Sequence, residues 1–302
     1  MTGVQRFLAA RLTWRRVVSV VLLVLSVAFL AYKAWDSWEA LRGYSWSLRA
    51  IYLLPSFGLF LVQFVVVTWG WQIIMDRLAP PVPFFHHLKI YGYTNLMRRI
   101  PAGLLWLVAG RMSAYKDRNM TTRVLALGSF FEMLMVILSG LPLAAAAAAG
   151  LGLLTWEAGL ALVALALALE LVAIHPAVLG KLASLVKHHE LRANLRYRDT
   201  LLWAAVYTLI WCISGTGLYL VGCLFGSLPA GAWPKIAGVW VLSTLLAYLT
   251  LFSPSGLGVK EVSLTVLLSL FLNDPLPLLI ALGIRVVWTV YDLAVGVVAW
   301  LA

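Results

Sequence analysis

The sequence predicts an all-α, polytopic transmembrane helix bundle with two re-entrant or broken helical segments, in an order compatible with an inverted repeat. Composition is the first observation that favours this class, because 63% of the 302 residues are hydrophobic and only 12% are charged. A soluble domain carries about twice that charged share. Long apolar runs separated by charged loops are the second observation, and no barrel-type alternation accompanies them. Residues 1–302 are therefore interpreted as a single integral membrane domain.

Most of the apolar runs are long enough to cross a bilayer as helices. Helices are predicted at 17–32, 50–74, 122–149, 153–174, 200–225, 235–252 and 276–300. The first is expected to be retained, because no convincing small-residue cleavage site follows it. Charged and aromatic residues alternate over 33–49, which predicts a membrane-interface segment, and most of the 14 tryptophans are expected in such belts. The basic stretch 175–199 is predicted to be a solvated loop.

The first irregular segment, residues 91–111, contains an apolar run too short to span a membrane. Ile100 to Ala109 is ten residues long, about half of what a crossing helix needs. Basic residues flank it on both sides, so both ends are expected to face the same compartment. Pro101 and Gly103 are expected to break the helix here. A re-entrant dip and a short amphipathic helix at the interface both remain open.

The second irregular segment, residues 251–264, places helix breakers and charges inside an apolar region. The helix-breaking residues are Pro254, Ser255, Gly256 and Gly258. Lys260 and Glu261 follow them directly. Irregular backbone and charged side chains are tolerated at membrane depth only where they line a polar or protein-lined cavity. The pattern predicts a broken helix lining a polar site, and the alternative is a short loop outside the membrane between two ordinary spans.

Charge counting predicts the topology. The basic stretches have net charges of +4 (1–16), +6 (75–123) and +3 (175–199), whereas 33–49, 226–235 and 273–275 lie between −1 and +1. The positive-inside rule places the basic set, and with it both termini, in the cytoplasm. This orientation requires 91–110 to return to its own side and the 235–252/262–272 pair to form a broken hairpin. The net charge of +11 is attributed to these loops and to anionic lipid.

Charged residues inside the apolar runs are the candidate site. They are Arg111, Glu132, Lys260, Glu261, Arg285 and Asp292. Charges at such depth usually face the interior of a helix bundle. Glu261 is a candidate partner for Arg285, and Asp292 lies two turns after Arg285 on nearly the same face. The alternative is that these residues form ion pairs that only hold helices together.

Residues 254–261 read P-S-G-L-G-V-K-E, which resembles the P-x-G-L-G-x-[RK]-E motif of the lysylphosphatidylglycerol synthase transmembrane-region family, a group of flippase-like membrane domains. A looser set is similar to that family's first signature: Asn95, Pro101, Gly103, Gly110-Arg111 and Glu132. Leu104 and Leu105 stand where an acid often follows the glycine. The resemblance covers roughly 15–300, adds Asn95 to the candidate site, and implies the translocating part without the soluble aminoacyl-transfer domain.

Three functions are compatible with these residues. The favoured hypothesis is a lipid flippase in which Arg111, Lys260 and Arg285 bind an anionic, phosphate-bearing headgroup, and the acids balance those charges or bind an amine. Half-helix N-termini after the two prolines would add backbone donors. A membrane-embedded transferase that uses a lipid-phosphate carrier is the second hypothesis. A non-catalytic accessory subunit of a lipid or glycan synthase is the third.

A transporter is expected rather than an enzyme, because the chain has no paired acidic D-x-x-D-type motif and no nucleophile elbow. We therefore expect no catalytic residue, no metal and no cofactor. The expected partners are membrane lipids of the anionic or polyprenyl-phosphate type, with a homodimer or a partner synthase as further candidates, and no nucleic acid. The expected location is the plasma (inner) membrane.

Overall fold

The computed structural model describes residues 21, 24–45, 48–97, 110–115, 120–185, 195–249 and 258–301. Every regular element in this part of the chain is a helix. Six helices are long and apolar enough to cross a membrane: Ala50–Leu78, Thr122–Gly150, Trp156–Ala173, Tyr197–Phe225, Ala230–Tyr248 and Leu276–Ala299. The protein is therefore an all-α, multi-pass membrane protein, as its composition predicts.

Residues 24–36 and 110–114 are helical, and the described residues form ten further α-helices. They are α1 (Trp38–Arg42), α2 (Leu53–Leu78), α3 (Phe84–Met97), α4 (Thr122–Gly150), α5 (Trp156–Ala173), α6 (Pro176–Leu185), α7 (Tyr197–Phe225), α8 (Trp233–Leu249), α9 (Val259–Leu268) and α10 (Leu276–Leu301). Two short 3₁₀ turns, Ala50–Tyr52 and Ala230–Ala232, lead into α2 and α8.

Six of the predicted spans match the observed ones to within a few residues, and part of the seventh, 17–32, lies outside the described residues. Helices α1, α3 and α6 were not predicted. Helix α3 runs from Phe84 into the first irregular segment, and the basic stretch expected as a loop contains α6. Both are short and follow or begin with proline, which breaks a preceding helix yet is well tolerated in a first turn. Hydrophobicity alone does not separate such helices from interfacial loops.

Side-chain caps define where the long helices begin. Thr121 Oγ1 accepts from the Val124 N–H at 3.4 Å, and Thr155 Oγ1 accepts from the Ala158 N–H at 3.3 Å. These contacts satisfy donors that lack a partner in the first turn of a helix. Asp199 plays the same part in α7 by accepting from the Arg196 N–H at 3.1 Å.

Ion pairs and hydrogen bonds near the helix ends define two opposite faces of the bundle. Arg77, at the end of α2, donates to Asp199, at the start of α7, with 3.0 Å between Nη2 and Oδ1. Arg49, just before α2, donates from its backbone N–H to the Leu224 carbonyl at 3.0 Å and from Nη2 to Ser227 Oγ at 2.5 Å. We call these ends the Arg77 face and the Arg49 face. Helices α2 and α7 are therefore antiparallel.

Helices α8 and α9 form the broken hairpin that the charge count requires. Helix α8 starts at the Arg49 face, and Lys235 in its first turn lies 5.7 Å from the ring centroid of Phe271, just after α9. The chain thus leaves the Arg49 face along α8 and returns to it along α9. Helix α9 has ten residues, or about 15 Å, and cannot cross a bilayer. Pro254, Ser255 and Gly256 lie outside the described residues.

The first irregular segment also returns to the face from which it starts. The Tyr115 hydroxyl lies 2.5 Å from His87 Nδ1 on α3 and accepts from Trp71 Nε1 on α2 at 2.9 Å. Residues 91–97 of the predicted irregular segment belong to α3. Pro101 and Gly103 lie outside the described residues.

Helix α3 extends into the bundle along α10. Asn95 Nδ2 donates to Asp292 Oδ1 at 2.8 Å. Asp292 lies nine residues before the end of α10, so this contact is about 14 Å from that end along the helix axis. A Cβ at Gly92 would come within 2.7 Å of Ala299, so the glycine permits close helix contact. This depth favours the re-entrant alternative over a helix lying at the interface.

Relative sidedness leads to a labelling prediction. Gly231 lies at the Arg49 face and Gly180 at the Arg77 face, and an added Cβ at either position meets nothing within 4 Å, so cysteine is tolerated at both. With Cys212 and Cys223 replaced by serine, Gly231→Cys is expected to react with a membrane-impermeant maleimide in intact cells. The matched Gly180→Cys is expected to react only after permeabilisation. The reverse pattern would invert the orientation obtained from the positive-inside rule.

Candidate functional site

A buried ion pair between Arg111 and Glu132 forms the centre of the first polar cluster, the Arg111 cluster. Arg111 Nη1 lies 2.5 Å from Glu132 Oε2, and Nη2 lies 3.4 Å from Oε1. The Tyr91 hydroxyl donates to Oε1 at 2.7 Å, and Ser129 Oγ lies 3.4 Å from Nη1. Arg111 is only 1% exposed. Its charge is therefore matched by a carboxylate rather than by solvent.

Aromatic rings enclose the Arg111 guanidinium. Its Cζ lies 4.0 Å from the ring centroid of Trp71 and 4.9 Å from that of Tyr91. Such cation–π contacts are strongest where the cation is desolvated. The Trp71 and Tyr115 hydrogen bond continues this wall to His87. Burial, together with His86 and Arg111, lowers the pKa of His87 to about 4, so this imidazole is neutral near pH 7 and adds no second positive charge.

A second cluster, the Lys260 cluster, lies where α9 begins; its members are Trp240, Lys260, Glu261, Arg285 and Trp288. Gly258 precedes the helix with φ at +86°, a conformation that favours glycine, and a Cβ there would overlap the side chain of Ser26. Glu261 Oε2 accepts from the Gly258 N–H at 2.8 Å, and Glu261 Oε1 lies 3.2 Å from Arg285 Nη1. The expected Glu261–Arg285 pair is confirmed. Glu261 thus occupies one backbone donor at the start of this half-helix, where donors were expected to be open to a ligand.

Lys260 is held between two indoles. Its Nζ lies 3.3 Å from the ring centroid of Trp240 and 4.4 Å from that of Trp288, and the two rings meet edge to face at 4.9 Å. Lys260 is nine-tenths buried. A lysine in a first helical turn opposes the helix dipole, and the two π faces offset part of that cost.

The Lys260 cluster lies about half-way through the membrane. Helix α9 returns to the Arg49 face over about 15 Å, and Arg285 is nine residues into α10 from the same face, or about 14 Å. A bilayer core is about 30 Å thick. Lys260, Glu261 and Arg285 are therefore near its midplane, as a broken helix predicts.

Helix α3 connects the two clusters. Tyr91 contacts Glu132, and Asn95, one turn further on, contacts Asp292 on α10. Asp292 is two turns from Arg285, which is about 10 Å. The structure thus brings Lys260, Glu261 and Arg285 together and joins Asn95 to Asp292. Arg111 and Glu132 lie in a separate cluster, on the apolar core formed mainly by α2, α4 and α7.

The aromatic residues of both clusters were not predicted. Trp71 and Trp240 are almost fully buried, so the interpretation of the tryptophans as mostly interfacial belts is wrong at these positions. Their place in the sequence held a signal, because Trp240 and Trp288 stand well inside apolar runs rather than at the ends. The ring faces of Trp71 and Trp240 contact the Arg111 and Lys260 cations, and the Trp71 N–H donates to the Tyr115 hydroxyl.

Within the described ranges, no three His, Cys, Asp or Glu side chains come close enough to hold a metal ion. No protein-family model matches the chain, and no curated protein is significantly similar to it.

The closed Arg111 cluster leads to a stability prediction. Glu132→Gln keeps the size of the side chain but leaves the Arg111 charge buried without its carboxylate. The expected loss in the free energy of unfolding is about 3–5 kcal/mol, measured by denaturant titration in mixed micelles. Glu157→Gln, an exposed acid in the first turn of α5, is the matched control and is expected to cost less than about 1 kcal/mol. Equal effects of the two substitutions would contradict a structural role for the pair.

Proposed function

We propose that this protein binds an anionic, phosphate-bearing lipid headgroup at the Lys260 cluster and moves it across the membrane. The observation that carries the proposal is the position of Lys260 and Arg285 at the start of a half-crossing helix near the bilayer midplane. Charges at this depth usually mark a substrate or ion pathway.

The electrostatics of the α9 start favour an anionic ligand. The N-terminus of a helix carries partial positive charge, and Lys260 adds a full one. Glu261 lies in the same turn, but it is already bonded to Gly258 and Arg285. An arriving phosphate would interact with Lys260 and with the helix dipole in a low-dielectric environment, where such attractions are strong.

Arg285 makes this cluster more accessible than the Arg111 cluster. Its side chain is 27% exposed, in contrast to Arg111 at 1%. A guanidinium presents several donors in one plane and can bind a carboxylate and a phosphate at different edges. Arg285 can therefore bind a headgroup without first losing Glu261, whereas Arg111 is committed to Glu132.

The backbone around α10 supports movement between leaflets. Helix α3 approaches α10 from the Arg77 face and ends its described part near Asp292, and α9 approaches from the Arg49 face and starts beside Arg285. Discontinuous helices that enter from opposite faces and meet near the midplane are typical of transporters. In this proposal the headgroup moves along α10, on which Arg285 and Asp292 lie two turns apart on nearly the same face.

Orientation and family membership are part of the same proposal. The positive-inside rule would place the Arg77 face and both termini in the cytoplasm of a cell whose inner membrane holds the protein. The resemblance of residues 254–261 to the flippase-like family agrees with headgroup binding at the residue that ends this stretch, Glu261, and its neighbour Lys260.

Substitution of Lys260 tests the proposal in proteoliposomes that contain only this protein and labelled anionic lipid. Lys260→Met is expected to lower the translocation rate by at least about tenfold, because a charge-assisted contact to phosphate is lost. Lys260→Arg is expected to retain part of the rate. Lys181→Met, an exposed lysine on α6, is the matched control and should leave the rate unchanged.

Folded yield and melting temperature separate binding from stability. Unchanged yield with lost transport supports the proposal. Transport that survives in Lys260→Met, a yield that collapses in this variant, or no translocation by the unsubstituted protein, would each contradict it.

A further inference from the structure

An apolar groove opens at the Arg49 face, away from both charged clusters; we call it the Cys212 groove. It lies between α4, α7 and α8 and has a volume of about 410 Å³. The residues that matter for its chemistry are Ala146, Gly150, Trp211, Cys212, Trp233 and Lys235. A volume of this size is within the range of small-ligand sites.

Small side chains create the depth of the groove. Gly238 of α8 touches α4 so closely that a Cβ there would overlap Ala147, and Ala146, Gly150 and Ala237 add further small residues to the lining. Ala146 and Cys212 are exposed. The groove therefore faces outward from the bundle, where a membrane protein meets hydrocarbon, and its walls are mainly apolar.

The end of the groove at the Arg49 face carries the polar groups of Trp233 and Lys235. The Trp233 Nε1 donates to Thr216 Oγ1 at 3.0 Å, which orients the indole at the start of α8. Lys235, two residues later, is exposed, and its ammonium lies 5.7 Å from the Phe271 ring. Tryptophan and lysine at a helix end are typical of the level of lipid headgroups.

We infer that the Cys212 groove binds one acyl chain of an anionic phospholipid, with the lipid phosphate on Lys235. Charge complementarity selects the headgroup, because a single cation stands where the apolar walls end. The size of the groove favours an acyl chain over a partner helix, because a helix of about 10–12 Å diameter would not enter a groove of this volume. The inference goes beyond the proposed function, since this groove and the Lys260 cluster share no residue.

Lipid retention measured by native mass spectrometry tests the inference on the full chain. From equal mixtures, the protein is expected to retain phosphatidylglycerol in preference to phosphatidylcholine. Lys235→Gln should lower that preference about fivefold, the equivalent of about 1 kcal/mol per basic residue near an anionic headgroup. The matched Lys181→Gln should leave it unchanged. Ala146→Leu, which fills the groove, should lower retention of both lipids.

Cys212 provides a second readout, because it lies in the groove while Cys223 is buried. In detergent, added phosphatidylglycerol is expected to slow maleimide reaction at Cys212 in the unsubstituted protein and in Lys260→Met, but much less in Lys235→Gln. Protection in Lys260→Met separates this site from the transport proposal. If Ala146→Leu folds poorly, Gly150→Leu replaces it, since a Cβ at Gly150 meets nothing within 4 Å.

Equal retention of the two lipids, or Cys212 reactivity that phosphatidylglycerol does not change, would overturn the inference. Retention of phosphatidylglycerol that Lys235→Gln and Ala146→Leu both leave intact would also overturn it, because the lipid would then be bound elsewhere.

Discussion

A charged side chain half-way across a bilayer must meet another polar group, and this constraint determines how the helices of this protein pack. Arg111 is matched by Glu132 of α4, Glu261 of α9 by Arg285 of α10, and Asn95 of α3 donates to Asp292 of α10. The first two contacts join neighbouring elements of the chain, and the third joins helices that are distant in sequence. Removal of one partner would leave the other desolvated, a cost that hydrocarbon cannot reduce. The helix arrangement and the polar contacts therefore depend on each other.

Aromatic rings provide further contacts to the buried cations, in addition to those of the carboxylates. Arg111 lies on Trp71 and Tyr91, and Lys260 lies on Trp240 and Trp288. In both clusters a cation near an irregular segment is covered by indole, and an acid and a base join that segment to the span that follows it. In the first pair the irregular segment contributes the base, Arg111, whereas in the second pair it contributes the acid, Glu261. The two halves thus bury a cation beside an irregular segment in a similar way from opposite faces, which is what an inverted repeat would require.

The two clusters differ in what they leave accessible. Glu132, Ser129 and the rings of Trp71 and Tyr91 surround the Arg111 guanidinium within the protein, so its contribution is to hold α2, α3 and α4 together. The Lys260 cluster combines a helix start, an ammonium between two rings and a partly exposed guanidinium. A site that binds and releases a charged group must remain incompletely neutralised, and this difference separates the structural cluster from the one to which function is attributed.

The sequence by itself determined the membrane class, six of the spans and the loops that share a face, and it offered Arg285 as a candidate partner for Glu261. These features depend on local quantities: the length of an apolar run, the charge of a loop, and the break and restart of a helix. Tertiary structure alone decided that Arg111 and Lys260 belong to different clusters, that buried indoles cover both, and that α3 reaches Asp292. Those outcomes depend on which helices become neighbours, and the pattern of one helix does not contain its neighbours' identity.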